Sequence, residues 1–397
     1  MALHSFEEFE HTYGQEQRQK QDISLKNIRS YLAFFDHPEK KLNHVIQVAG
    51  TNGKGSTAAM LQSLLTHHGF KIGLYTSPHL LSYTERFRLD DQDISQKKLL
   101  YYLNQVHINS NKNNLPLSLF EVLTCAAIHF FVDEKVDVAI LETGLGGRLD
   151  ATTAVPAETK VITSISIDHQ DYLGDTLEAI TREKAAIITR RSLVCTSNDQ
   201  GVLKILEARA KEEDAKIFSL AKNPLPQDEN YELNLLGSHQ KENASLALLT
   251  LTKISKAYSL KLSPKKIKQA FLTVKWPGRF QIMRKSPLLI IDGAHNSAGI
   301  EALAKTIKEL EIKNLKIFFA AKENKDVLQE ISTLKEISSD LCYVKTKLSN
   351  MYPESKTCLP TIRFEEMLQE IAKKKGPILL CGSLYFLGEF LKHSPRE

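Results

Sequence analysis

The chain has 397 residues, 42% hydrophobic and 25% charged, a globular composition too long for one ordinary core; two large domains are the simplest expectation. A formal charge of +5 with no basic stripe bearing interleaved aromatics argues against a nucleic-acid partner, and the Lys265–Lys268 run reads as a solvated helix face. The opening MALHSFEE has neither a basic start nor an apolar run, the Leu123–Val132 stretch is short and holds His129, and five scattered cysteines lack any Cys-x-x-Cys spacing, so export, a membrane span, a disulfide framework and zinc are not expected and a reducing cytoplasm is.

Apolar β-rich runs alternate with helical patterns along the chain. His44–Ala49 reads as a strand, Gly50–Gly55 as a glycine turn and Ser56–His68 as a helix; Gly73–Tyr75, Leu119–Val132 and Val136–Leu141 continue the rhythm. Val161–Ile167, Leu177–Ile188, Ser192–Thr196 and Val202–Lys211 extend it past residue 200. Turn chemistry at Trp276–Arg279 precedes a new strand, Leu288–Ile291, and a helix, Ile300–Leu310. Leu315–Ala320, Val327–Leu334, Leu341–Thr346, Phe364–Lys373, Ile378–Cys381 and Leu384–Leu391 suffice for a smaller α/β domain. The fold class expected is therefore α/β, a mostly parallel, P-loop-type sheet domain (1–283) followed by a Rossmann-like domain (284–397), with a ligand in the cleft between them.

Three clusters carry chemistry. In Val45–Thr57, a strand, a turn with Gly50, Gly53 and Gly55, and a helix start with Ser56 and Thr57 place backbone N–H groups around a phosphate, with Lys54 as the compensating charge. Only three residues separate Gly50 from Lys54 where the general Walker motif has five; a βα turn that binds nothing is the bland alternative. In Val138–Asp150 a buried strand delivers Glu142 to its carboxyl end before Gly144, Gly146 and Gly147; Glu142 reads as a magnesium ligand or, alternatively, as a capping or ion-paired glutamate. In Val161–Thr176 a strand leads into Asp168 and His169, and the helix after it carries Arg182, Glu183 and Lys184, either a solvated charge cluster or the seat of a functional lysine.

Together these clusters resemble the folylpolyglutamate synthase family, in its bacterial bifunctional dihydrofolate synthase form, within the Mur ligase superfamily. GTNGKGST (Gly50–Thr57), TSPHL (Thr76–Leu80), FEVLT (Phe120–Thr124), ETGLGGRLDAT (Glu142–Thr152), IDHQDYLGDT (Ile167–Thr176), REKAAI (Arg182–Ile187), Gly237–Ala244, GRF (Gly278–Phe280), DGAHN (Asp292–Asn296) and Gly382–Ser383 follow the family's order. The resemblance implies that ATP phosphorylates a substrate carboxylate and that the amine of L-glutamate displaces phosphate from the acyl phosphate. The substrates implied are dihydropteroate or a reduced folate.

The resemblance also implies site residues. Gly53, Lys54, Gly55 and Ser56 hold the phosphates; Ser77, Glu142 and His169 ligate magnesium, of which two ions are expected; Lys184 matches a lysine that is carbamylated to bind the second. Asn243, Arg279 and Asp292 fall on ATP-binding positions, His295 on an active-site histidine, Asp150 on a position contacting the pterin-bearing substrate, and Phe120 and Glu121 on a helix near it, where Phe120 is equally ordinary core. Departures are Thr153 for a frequent asparagine, Thr143 for an apolar residue and Ser297 for proline. None removes a group the chemistry needs.

A cell-wall Mur ligase carries a further amino-terminal domain, for which the 48 residues before Ala49 are too few. Against a P-loop switch stand the short loop and a second domain with Asp292 and His295. Polyglutamate extension alone remains an alternative to both folate reactions, and a monomer is expected.

Overall fold

Runs of four or five branched and apolar residues, too short for buried helices, become strands wherever neighbouring runs can complete their backbone hydrogen bonds. The computed structural model describes residues 3–14, 24–223, 231–323, 326–373 and 375–394. It divides into two compact units, Met1–Glu232 with Asn243–Val274, and Leu233–Glu242 with Lys275–Glu397.

The first unit holds β1 (Val45–Ala49), β2 (Ile72–Tyr75), β3 (Phe87–Leu89), β4 (Gln92–Asp93), β5 (Val138–Glu142), β6 (Thr159–Ile162), β7 (Leu193–Thr196) and β8 (Lys216–Ser219), in the order β4-β3-β2-β5-β1-β6-β7-β8. The ladders from β2 to β8 are parallel, and β3 and β4 add an antiparallel edge. Every residue of β1 and β5 is buried, as a central parallel strand covered on both faces requires. The chain leaves β1 for β2 on one side and later enters β6 on the other, so β1 lies at a topological switch point, where carboxyl strand ends open a crevice for ligands. Register sets Val48 opposite Glu142 and Ala49 opposite Ile162.

β6 ends at Ile162, five residues before the expected Ile167. The next residues leave the ladder because their polar groups are engaged elsewhere. Thr51 N–H donates to the Ser164 carbonyl (2.8 Å), Ser166 N–H to Thr51 Oγ1 (3.1 Å), and Ile165 N–H to Asn198 Oδ1 (2.9 Å).

The second unit contains β9 (Gln281–Lys285), β10 (Leu288–Asp292), β11 (Lys316–Phe319), β12 (Asp340–Lys345), β13 (Thr361–Arg363) and β14 (Ile378–Cys381), ordered β13-β12-β11-β14-β10-β9. All its ladders are parallel except β9 with β10. β9, which no apolar run announces, is a half-exposed edge strand. Asp292 and Cys381 pair at the adjacent carboxyl ends of β10 and β14. Among the described residues no helix is long and apolar enough to cross a membrane, and all five cysteines are free thiols.

Candidate active site

The turn after β1 depends on its glycines. Gly50 and Gly53 have φ of +147° and +84°, where side chains are strained. A Cβ on Gly50 would lie 1.9 Å from Thr163 Oγ1, and one on Gly53 would lie 2.3 Å from Asn243 Oδ1. Gly53 caps the helix Lys54–His67, so the first free N–H groups and the positive end of the helix dipole face the turn. Gly55 and Ser56 are buried in its first turn, and Thr57 Oγ1 donates to Asn243 Oδ1 at 3.4 Å. The expected ATP-binding Asn243 thus stands directly behind the phosphate turn.

Two lysines converge on one carbonyl. Lys54 Nζ donates to the oxygens of Gly50 (3.3 Å) and Thr51 (3.1 Å), and Lys184 Nζ donates to Gly50 at 2.7 Å. Lys184 lies in the helix Leu177–Ala185 with only 4% of its surface exposed. Burial, and then the charge of Lys54, push its amine down to about 7, while Asp168 and Asp150 act in the opposite direction. The solvated-cluster reading of Lys184 therefore fails: its neighbours Arg182 and Glu183 point to other partners, Glu178 and Arg148.

Glu142 ends β5 with its carboxylate buried, and the N–H of Ser77 donates to its Oε2 at 3.3 Å. The glycine turn after it packs on the lysine helix: a Cβ on Gly147 would meet the carbonyls of Glu183 (2.8 Å) and Lys184 (3.1 Å). His169, at φ +50°, begins the short helix Gln170–Leu173, and half of its side chain is exposed. Desolvation lowers its pKa, Asp168 opposing and Lys54 and Lys184 assisting, which favours the neutral ring a metal needs. Among the described residues no cluster of three or more His, Cys, Asp or Glu stands ready to hold a metal. Magnesium takes one or two carboxylates and completes its shell with water and phosphate oxygens, and Glu142 supplies a buried carboxylate at this strand end.

Asp150 and Glu121 are engaged by the fold itself. Asp150 Oδ2 accepts the N–H groups of Gly144 (2.7 Å) and Leu145 (3.0 Å), and its Oδ1 accepts Thr152 N–H (3.0 Å) and Oγ1–H (2.5 Å). Burial raises its pKa, and these bonds hold it down. Glu121 forms a capping box with Ser118 and also accepts Ile28 N–H at 3.2 Å. Phe120 stacks near Tyr75, with centroids 5.8 Å apart, and its ring lies where a Cβ on Gly144 would be 2.7 Å away.

In the second unit Asp292 Oδ2 accepts Phe280 N–H (2.7 Å) and Oδ1 accepts Ala294 N–H (2.8 Å). This ties the Gly278–Phe280 turn to the end of β10 and sets Arg279 beside Gly293, where a Cβ would be 2.7 Å from its guanidinium. His295 Nδ1 lies 2.8 Å from the Gly293 carbonyl. A carbonyl only accepts, so Nδ1 carries the proton and Nε2 is the basic nitrogen of the neutral ring. His239 was not singled out in the sequence; it is lowered in pKa by burial, near Asp292 and Arg279. Thr163 and Asn198 were missed too, since nothing in their local spacing reveals that they brace the phosphate turn.

Residues 48–282 match the model of the Mur ligase middle domain. The chain is 30% identical to the dihydrofolate synthase/folylpolyglutamate synthase of Bacillus subtilis, over 93% of this chain and 94% of the relative. It is 37% identical to that of Escherichia coli, over 88% and 86%. The crystal structure of the bifunctional folylpolyglutamate synthase/dihydrofolate synthase from Yersinia pestis, complexed with AMPPNP and Mn ion, superposes with a TM-score of 0.83 at 27% identity, covering 94% of each chain.

Proposed function

The chain belongs to the Mur ligase family, in its dihydrofolate synthase/folylpolyglutamate synthase group, and from that premise we propose that it is an ATP-dependent ligase joining L-glutamate to dihydropteroate, to the glutamate tail of a reduced folate, or to both. The observation that carries the reading is the phosphate turn with Lys54 and the buried Lys184 on the single carbonyl of Gly50. Lys54, bonded only to neutral carbonyls, is poised for an anionic ligand, and the buried amine of Lys184 beside it is poised for modification.

In the reaction a carboxylate oxygen of the folate substrate attacks the γ-phosphorus of ATP, ADP leaves, and the amine of L-glutamate then displaces phosphate from the acyl carbon with loss of a proton. Both reactants of the first step are anions, so most of the barrier is electrostatic. Lys54 exchanges the carbonyls of Gly50 and Thr51 for phosphate oxygens, while the N–H groups of Gly53, Gly55 and Ser56 cradle them. Asn243 serves ATP from behind the turn; Arg279, whose turn Asp292 holds through its two backbone N–H bonds, is a further ATP-binding residue. His295, basic at Nε2, accepts the proton of the incoming amine.

Divalent magnesium, held by Glu142 and Ser77, and a second ion held by His169 and a carbamate on Lys184, would neutralise the triphosphate and the charge that builds during transfer. The amine of Lys184 suits carbamylation because it is largely neutral above about pH 7 and can add to carbon dioxide, releasing a proton. Phe120 presents an aromatic face for the pterin, and Asp150 and Glu121 support the substrate side through the backbone they hold. Free thiols throughout fit a cytoplasmic enzyme, here proposed to act as a monomer.

Incubation with ATP, magnesium, L-glutamate and either dihydropteroate or tetrahydrofolate should release ADP only when both organic substrates are present. Turnover without glutamate, or only with a nucleotide-linked sugar peptide, would refute the assignment.

A further inference from the structure

Lys160, on β6, is 1% exposed and takes no part in the chemistry above. Its Nζ donates to Gln47 Oε1 on β1 at 3.0 Å. Gln47, itself fully buried, turns its amide the other way: Nε2 donates to Thr152 Oγ1 (3.0 Å) and Thr153 Oγ1 (2.8 Å). Thr152 donates in turn to Asp150, and Thr153 Oγ1 donates to the carbonyl of Gly147 at 2.7 Å. Asp150 completes the path by accepting the N–H groups of Gly144 and Leu145. An unbroken chain of hydrogen bonds thus runs from a buried lysine to both ends of the glycine turn that follows Glu142 and packs on the Lys184 helix.

A buried amine is costly to retain, and an apolar side chain would fill β6 more stably; one that remains and orients a glutamine has a positioning value. Without Lys160 the Gln47 oxygen loses its buried donor, and only the two threonine hydroxyls still hold the amide in its present orientation. A flipped amide would present an acceptor to hydroxyls already committed as donors to Asp150 and Gly147.

We propose that Lys160 is a positioning residue for the ligation: through Gln47, Thr152 and Thr153 it fixes the glycine turn between Glu142 and Asp150. The kinetic part rests on the ligase reading; the structural part does not. The experiment compares the natural chain with Lys160→Met, Lys160→Gln and Gln47→Glu, measuring amide hydrogen exchange in the ligand-free protein and kcat and KM for ATP in the ligase assay. Lys160→Met should speed exchange in the Gly144–Thr153 turn about fivefold while leaving β7 and β8 protected. It should lower kcat about 10-fold with little change in the ATP KM, the scale at which support of a ligand shell is felt. Lys160→Gln, which keeps an N–H donor, should recover part of both losses. Gln47→Glu preserves size and the partner of Lys160 but removes the donors to Thr152 and Thr153, so it should match Lys160→Met; it alone decides the matter if Lys160→Met does not fold. Unchanged turn exchange and kcat in Gln47→Glu, or a loss of protection spread evenly over the sheet, would overturn the proposal. A turn loosened in a chain that performs no ligation would leave the positioning intact and remove the ligase reading instead.

Discussion

The ends of β1 and β10 are both carboxyl ends of parallel strands with glycine turns behind them, yet they are built with opposite electrostatics. After β1, Lys54 and the buried amine of Lys184 bond only backbone carbonyls among the described residues, so the fold leaves these donors weakly satisfied. After β10, Asp292 spends one oxygen on each of two backbone N–H groups and holds the Arg279 turn in place. Asp150 behaves in the first unit as Asp292 does in the second. The contrast separates groups that act on a ligand from groups that shape the backbone around it: donors underused by the fold belong to the first class, and carboxylates saturated by N–H groups to the second.

Exchanging single residues tests that division. Lys184→Ala should lower ligation by about 10^2- to 10^3-fold with the fold retained, read as ADP release beside a circular dichroism spectrum. A near-normal rate would end the carbamate proposal. Asp292→Asn turns one acceptor towards a backbone N–H as a donor, and it should cost about 1–3 kcal/mol of stability in urea unfolding. If it instead left stability intact and raised only the ATP KM, Asp292 would belong with the ligand-facing groups.

The pH dependence of the ligand-free protein probes the same weakly satisfied lysine. The folded-state pKa of Lys184, about 7, lies below that of the unfolded chain, so between about pH 7 and 10.5 the native state gives up a proton that the unfolded chain keeps. Stability should therefore rise with pH across that window, with the burial penalty present in full below pH 7. Lys160, pushed down to about 8 by burial, adds to the slope at its upper end. Lys184→Met should flatten the slope, measured by urea unfolding at pH 6, 8 and 10; an unaltered slope would mean that the amine is not desolvated. The smallest effect is expected from Glu121→Gln, about 1 kcal/mol from a weakened capping box with no change in KM for dihydropteroate. A raised KM with stability unchanged would return Glu121 to the substrate site.

Much of this was legible in the linear chain. The strands β1, β5 and β14 and the helices beside them coincide with apolar runs bounded by glycine, and Phe364–Lys373 and Ile378–Cys381 match their predicted limits. The edge strands β3, β4 and β9 were not anticipated because a short strand exposed on one face has little apolar signal. Glu121 and Asp150 sit in family motifs, but the motif does not say whether a carboxylate faces a ligand or its own backbone.

By itself the sequence determined the alternation of strands and helices, the glycine turn with Lys54, the order of motifs and hence the family, since each is written in residues close together in the chain. Only the tertiary structure decided that Lys184 reaches the carbonyl of Gly50 from 134 residues away, that Lys160 meets Gln47, and that Thr163 closes on the space a side chain at Gly50 would need. Those contacts follow from β5 and β6 flanking β1 in one register, and strand order is a property of how distant segments share a core rather than of any local pattern.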